Sequence, residues 1–249
     1  MPHHQPSVAP PRIWLLPIAS AVPRTWYDYL DAQERARADR FLNPADRSAF
    51  IAAHVMLRAL LSSCGTRAPS DWTFTVDANG KPRIADDNAR SFPSFNISHT
   101  AGLVAAIADP AGRAVGIDVE PSHRVIDPIM TPWVLSGEER KHFTRLDETA
   151  AGDELLQRWV LKEALAKATG QGLAMDVTRI EIIRLFPPAV FFEPDEVLGH
   201  ADTWHLENWR AEGRHQVAVA VQCVQGSSPT LTKRMLSEDA LSHLLHSYS

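Results

Sequence analysis

The sequence predicts an α+β protein built from two pseudo-symmetric α/β halves, each an antiparallel-type sheet with packed helices, with an active-site cleft between them. Three observations carry that reading. Short apolar strands follow one another through close turns, such as Thr100-Ala101-Gly102 and Asp109-Pro110-Ala111-Gly112. A helix-spaced apolar segment precedes these strands, and a second one follows them. The chain of 249 residues, 45% hydrophobic and 22% charged, is long enough for one large domain or two small ones.

In chain order, Ile13–Ile18 reads as a strand and Trp26–Phe41 as a helix ending before Asn43-Pro44. Ile51, Val55, Arg58 and Leu61 repeat at helical spacing up to Gly65. Trp72–Val76 alternates like a strand, and Asn79-Gly80 turns the chain into Lys81-Pro82-Arg83-Ile84. Phe95–Ser98, Leu103–Ala108 and Ala114–Val119 are strands, the last ended by Pro121. Ser136 with Glu139 forms a capping box that opens a helix through about Leu146, and a stronger helix over Asp153–Thr169 closes at Gly170. Arg179–Ile183, Val190–Phe192, Thr203–Trp209 and Gln216–Cys223 read as strands, and a polar stretch then leads to a short terminal helix. The expected organisation is a disordered segment over 1–12, an N-terminal half over 13–112, a C-terminal half over 113–225 and a tail over 226–249.

Lysine and arginine number 25 against 30 acidic residues, a net charge of -5, so no global field draws nucleic acid or an anionic membrane. Any anionic ligand needs local basic groups. Cys64 and Cys223 are too few for a disulfide framework or a zinc cluster and read as two buried thiols. No stretch has the pattern of a secretory signal or a membrane span, so a soluble, cytoplasmic protein is expected. Phosphate-binding P-loops, H-E-x-x-H, G-x-S-x-G and C-x-x-C pairs are all missing from the sequence.

Three segments carry chemistry. In Gly116-Ile117-Asp118-Val119-Glu120, strand alternation puts Asp118 and Glu120 on one face, about 7 Å apart, with Ile117 and Val119 on the other. Two such carboxylates repel unless solvated, protonated or bridged by a cation, and a lone pair of this kind is most often a solvated face. In Trp159 through Leu173, helical spacing stacks Trp159, Glu163 and Lys167, where Glu163 and Lys167 alone would be a surface ion pair. In Asn96-Ile97-Ser98-His99, a hydroxyl and an imidazole end a strand beside a turn, placed to donate to phosphate oxygens or simply to close the turn. Together, Asp118, Glu120 and Glu163 offer three hard oxygen ligands suited to magnesium, and Lys81, His99 and Lys167 offer positive charge around a pyrophosphate.

Gly80-Lys81-Pro82, Phe95 through His99, Gly116 through Glu120 and Trp159 through Leu173, in this order and at these separations, resemble the 4'-phosphopantetheinyl transferase superfamily, in its broad-specificity, surfactin-synthetase-activating type. The resemblance implies a cytoplasmic monomer of the holo-[acyl-carrier-protein] synthase type. It would bind coenzyme A with Mg2+, transfer the phosphopantetheine arm to a serine of an acyl or peptidyl carrier protein, and release adenosine 3',5'-bisphosphate. It implies Asp118, Glu120 and Glu163 as metal ligands, Glu163 also as the base for the serine, and Lys167 as the group that neutralises charge on the pyrophosphate. Ser98 and His99 would hold the phosphates, Gly80, Lys81 and Pro82 the adenine end, and Arg37 the 3'-phosphate, with Arg35, Arg40 and Arg47 as alternatives. An apolar strip of Ile129, Met130, Trp133 and Val134 would meet the carrier. Pro121 departs from the family pattern, which often has a basic residue there. Two other activities share these features: hydrolysis of the coenzyme A pyrophosphate, and binding of coenzyme A or a carrier without catalysis.

Overall fold

The computed structural model describes residues 9–19, 21–77, 81–85 and 93–248. Most of the segment expected to be disordered, residues 1–8, lies outside them, as do Gly80 and its turn with Asn79.

The N-terminal half opens with β1 (Arg12–Pro17). The helix expected over Trp26–Phe41 is two pieces: a 3-10 turn at Arg24–Tyr29 and α1 (Ala32–Ala38). Leu30 breaks them because it is extended and buried, and because Asp31 caps α1, accepting from the Glu34 N–H while the Glu34 side chain accepts from the Asp31 N–H. Pro44 stands in the first turn of α2 (Pro44–Ser63), behind the Asn43 cap, so this helix starts well before Ile51. A hairpin of β2 (Phe74–Val76) and β3 (Pro82–Ile84) precedes the antiparallel pair β4 (Ser94–Thr100) and β5 (Leu103–Asp109).

The C-terminal half starts with β6 (Val115–Pro121). Two short helices follow, α3 (Thr131–Val134) and α4 (Gly137–Phe143), the latter with its Ser136–Glu139 capping box formed. The long α5 (Glu148–Thr169) ends at Gly170, which takes a left-handed φ of 80°. A hairpin of β7 (Glu181–Leu185) and β8 (Pro188–Phe191) leads to the antiparallel pair β9 (Trp204–Ala211) and β10 (His215–Gln222). The polar tail also supplies β11 (Thr232–Met235), parallel to β1, before α6 (Glu238–Ser247) packs Leu241 and Leu245 into the first core.

The halves repeat one topology. Strands β1-β5-β4 in one sheet and β6-β10-β9 in the other have the same order, and each sheet carries one long helix. Alternation in the central strands explains the layering. In β5, Val104, Ala106 and Ala108 face α2, while Leu103, Ala105 and Ile107 face the other sheet. In β10, Ala218 and Ala220 face α5, while Val217, Val219 and Val221 face the first sheet. The result is helix, sheet, sheet, helix, with both sheets buried on both faces, which is why these strands read as nearly continuous apolar runs.

Each half is clasped by the glutamate of a capping box. Glu139, at the start of α4, accepts from Lys162 (2.5 Å) and Arg158 (3.2 Å) on α5 and from the Ile182 N–H (2.9 Å). Glu34, at the start of α1, accepts from Arg58 (2.5 Å) and pairs with His54 (2.7 Å) on α2. In both cases the partners on the long helix are four residues apart and lie on one face. Breaking such a buried pair by truncating one member leaves an uncompensated charge.

Close approach of β6 to α5 requires Gly116. A Cβ there would overlap the Ala164 carbonyl oxygen and fall 2.6 Å from the Ala168 nitrogen, both backbone atoms that cannot swing away. Gly116→Ala is expected to lower stability by about 3 kcal/mol and the thermal midpoint by roughly 6–12 °C; scanning calorimetry reads this directly, and an unchanged midpoint would refute the close packing.

Candidate active site

Strands β4 and β6 lie side by side without a backbone ladder, and side chains of β4 take its place. Ser94 Oγ donates to the Arg113 carbonyl just before β6, Asn96 Oδ1 accepts from the Ile117 N–H (2.9 Å), and Ser98 Oγ donates to Asp118 Oδ1 (3.0 Å). These three residues alternate along the strand, so one face of β4 performs all three contacts. Lys167, near the end of α5, completes the cluster by donating to Asp118 Oδ1 (2.6 Å) and Ser98 Oγ (2.9 Å).

Asp118 is 5% exposed, and its second oxygen, Oδ2, is buried without a hydrogen-bond partner. An orphaned carboxylate oxygen at this depth is costly unless a cation or donor arrives. Glu163, one helical turn before Lys167, is half-buried. Burial raises its carboxyl above the ordinary value, and the neighbouring charges of Asp118 and Glu120 add to the rise against the opposing charge of Lys167. Glu120 pairs with Arg124 at the cluster's edge. Asp118 and Glu120 therefore hold Lys167 and Arg124, and among the described residues no three His, Cys, Asp or Glu side chains are gathered as a ready cation site.

Beside this cluster opens a cleft of about 520 Å³ in the N-terminal half. Its basic wall comprises Arg37 of α1, Arg40 in the turn just after it, His54 of α2 and His99 of β4; Phe50, Phe74, Val76, Pro82 and Ile97 supply apolar surface. Loss of solvent in the cleft, and then the charges of Lys167, His54 and Arg37, lower the His99 pKa below its ordinary value. The structure separates the four arginines near α1. Arg35 donates to the Asp28 carbonyl and Arg47 pairs with Asp39, both over the Tyr27 ring, while Arg37 lies over the Phe50 ring in the cleft wall.

Lys81 is placed differently from a simple cleft lining. Its ammonium crosses to the other half and donates to the carbonyl of Lys167 (2.6 Å), at the end of α5, where a cation is favoured by the helix dipole. Burial there brings its pKa down to about 8. Ser98, Asp118, Glu163 and Lys167 thus come together, with Lys81 locking the helix that carries two of them, whereas Arg37, Pro82 and His99 belong to the adjoining cleft. Glu34 and His54 were not singled out by the sequence reading. The signal was present, as a histidine and an arginine four residues apart inside the apolar run of α2.

Of the apolar strip expected to meet a carrier, Ile129 and Trp133 are over 70% exposed and Met130 is 39% exposed, but Val134 is fully buried against Leu135 and Leu155. Val134 is thus a core residue, because the α3 turn directs it inward.

Comparison with known proteins decides the family. Residues 114–221 match the model of the 4'-phosphopantetheinyl transferase superfamily, and residues 20–111 match that of the 4'-phosphopantetheinyl transferase N-terminal region. The chain belongs to the 4'-phosphopantetheinyl transferase superfamily. It is 28% identical over 229 residues to the human L-aminoadipate-semialdehyde dehydrogenase-phosphopantetheinyl transferase, covering 86% of this chain and 71% of that one. A putative 4'-phosphopantetheinyl transferase of Synechocystis sp. is 27% identical over 173 residues, 68% of this chain and 69% of that one. The 4'-phosphopantetheinyl transferase HetI of Nostoc sp. is 32% identical over 146 residues, 58% of this chain and 61% of that one. Among the described residues, no helix is long and apolar enough to cross a membrane.

The raised pKa of Glu163 has a measurable consequence. The folded chain binds this proton more tightly than the unfolded one, so stability contributed at this site falls as pH rises from the ordinary value of 4.5 through the raised one. Glu163→Gln is therefore expected to raise the thermal midpoint of the metal-free protein by about 2–4 °C at pH 8, with the gain vanishing toward pH 4. A gain that does not change with pH would contradict the assignment.

Proposed function

We propose that this chain transfers the 4'-phosphopantetheine arm of coenzyme A to a serine of an acyl or peptidyl carrier protein, with Mg2+, and releases adenosine 3',5'-bisphosphate. The observation that carries this reading is the Ser98–Asp118–Lys167 cluster with its orphaned Asp118 oxygen, set against a basic cleft wide enough for a nucleotide. In the transfer, the carrier serine Oγ attacks the phosphorus that bears the pantetheine arm. A new phosphorus–oxygen bond forms to the serine, and the bond to the bridging oxygen breaks, leaving that oxygen on the departing nucleotide.

Glu163 is assigned as the group that takes the serine proton, since a carboxyl with a raised pKa is a better proton acceptor than an ordinary one. Lys167, held by Asp118 and Ser98, is assigned to neutralise the charge that accumulates on the pyrophosphate. The free oxygen of Asp118, with Glu120 and Glu163, fits a hard cation such as Mg2+, which when bound would supply further neutralisation of the pyrophosphate charge. His99 and Arg37 are assigned to the phosphates, and Pro82 with the hairpin β2–β3 to the adenine end. Exposed Ile129, Met130 and Trp133 offer the apolar surface for a carrier helix.

The test is the intact mass of an apo carrier protein after incubation with this enzyme, coenzyme A and Mg2+. A gain of one phosphopantetheine is expected, abolished by a chelator, and Glu163→Ala is expected to slow it at least 100-fold while coenzyme A still binds. Trp133→Ser is expected to raise the KM for carrier without changing that for coenzyme A. Release of adenosine 3',5'-bisphosphate with no mass gain on any carrier would instead establish a coenzyme A hydrolase.

A further inference from the structure

The first half holds a polar device that the transfer chemistry does not use. Glu34 is 6% exposed, and both of its oxygens are engaged: Oε2 accepts from the Asp31 N–H (2.8 Å) and from Arg58 (2.5 Å), and Oε1 pairs with His54 Nδ1 (2.7 Å). Burial pushes the Glu34 carboxyl up, but the hydrogen bond with His54 and the charge of Arg58 outweigh it and hold the group below its ordinary value. Glu34 is thus a carboxylate, and His54 Nδ1 carries the proton and donates to it. Pinning Nδ1 this way fixes the ring, which lies against Phe50 with centroids 4.1 Å apart, and turns the opposite nitrogen away from Glu34.

The equivalent place in the second half shows what a purely structural version looks like. There Glu139 holds Arg158 and Lys162, both buried, and Arg158 spends its donors on Glu139, Glu154 and the Ile182 carbonyl. His54 occupies the position of Arg158, four residues before the buried base, yet it lines the cleft beside Arg37, Arg40 and His99. The acids at this wall, Asp31 and Glu34, are both engaged by Arg58. What remains facing the cleft is therefore basic, Arg37 and Arg40 with His54 and His99, alongside apolar side chains that suit a base.

We propose that His54, oriented by Glu34 and Arg58, is a specificity residue that binds the phosphate monoester at the nucleotide end of coenzyme A and so distinguishes coenzyme A from its 3'-dephospho form. The proposal rests on the substrate assigned above, not on the transfer step. A monoester dianion is the most highly charged group of that ligand, and an imidazole anchored to a carboxylate through Nδ1 has its other ring nitrogen left for such an anion.

Calorimetric titration of coenzyme A and of 3'-dephospho-coenzyme A into the wild type and the variants tests this. His54→Ala is expected to weaken coenzyme A binding at least tenfold and to leave the dephospho ligand within about twofold, while His54→Arg retains the wild-type preference. If His54→Ala does not fold, His54→Gln, which keeps a hydrogen bond to Glu34 but lacks the second ring nitrogen, reports the same ratio. Equal weakening of both ligands, or no weakening of either, overturns the proposal. Wild-type binding of coenzyme A with a His54-dependent preference but no transfer to any carrier would support His54 and overturn only the transfer reading. No coenzyme A binding by the wild type would overturn both.

Discussion

The structure depends on how β4 meets β6. Two sheets packed face to face leave these two strands adjacent, but their backbones do not form a ladder, so the join is made by Ser94, Asn96 and Ser98. The last of these contacts is also the centre of the site. Ser98 and Lys167 share one oxygen of Asp118, and the other oxygen is left unsatisfied in a place nearly closed to solvent. A buried carboxylate with one satisfied and one unsatisfied oxygen is an incomplete arrangement, and an incoming cation is the group that would complete it. The same contact that helps hold the halves together leaves the oxygen on which the proposed chemistry rests, so fold and proposed function meet at one residue.

Duplicated architecture explains why a small number of residues accomplish so much. In each half a capping-box glutamate reaches across to two basic residues on the long helix, fixing a short helix to a long one. In the second half this clasp is closed and serves α5, the helix that carries Glu163 and Lys167. Lys81 then braces the far end of α5 from the opposite half. The helix is held by charges at its middle, through Arg158 and Lys162, and at its C-terminal end, and the side chains proposed to act on the serine and the pyrophosphate, Glu163 and Lys167, lie on this braced stretch. In the first half the clasp opens onto the cleft, so the same device lines a cavity.

Much of this was legible in the sequence. The alternation of Gly116 through Glu120 placed Ile117 and Val119 in the core with Asp118 and Glu120 on the other face, and Gly170 does close α5 with a left-handed φ. The Ser136–Glu139 capping box was read correctly, whereas the same pattern at Asp31–Glu34 was hidden inside a helix drawn too long, because the polar run from Trp26 has no glycine or proline to mark the break at Leu30. β11 was missed because its residues Thr232–Met235 are all exposed and show no apolar alternation; its pairing with β1 is a tertiary event. Contacts between distant segments were likewise out of reach: nothing in Gly80-Lys81-Pro82 says that the lysine reaches the end of α5, and nothing near Arg37 says that Arg35 and Arg47 turn toward Tyr27 instead.

The central claim is that Asp118 is the point at which a cation joins the site. Binding of Mn2+, followed by electron paramagnetic resonance in the presence of coenzyme A, tests it most directly, because Asp118→Asn keeps the shape of the side chain and removes only its charge. The account predicts saturable Mn2+ binding to the wild type, weakened at least tenfold in the folded Asp118→Asn variant, on the scale expected for losing one charged ligand. Equal Mn2+ affinity in the two proteins would contradict it, and would leave the unsatisfied oxygen of Asp118 without a role.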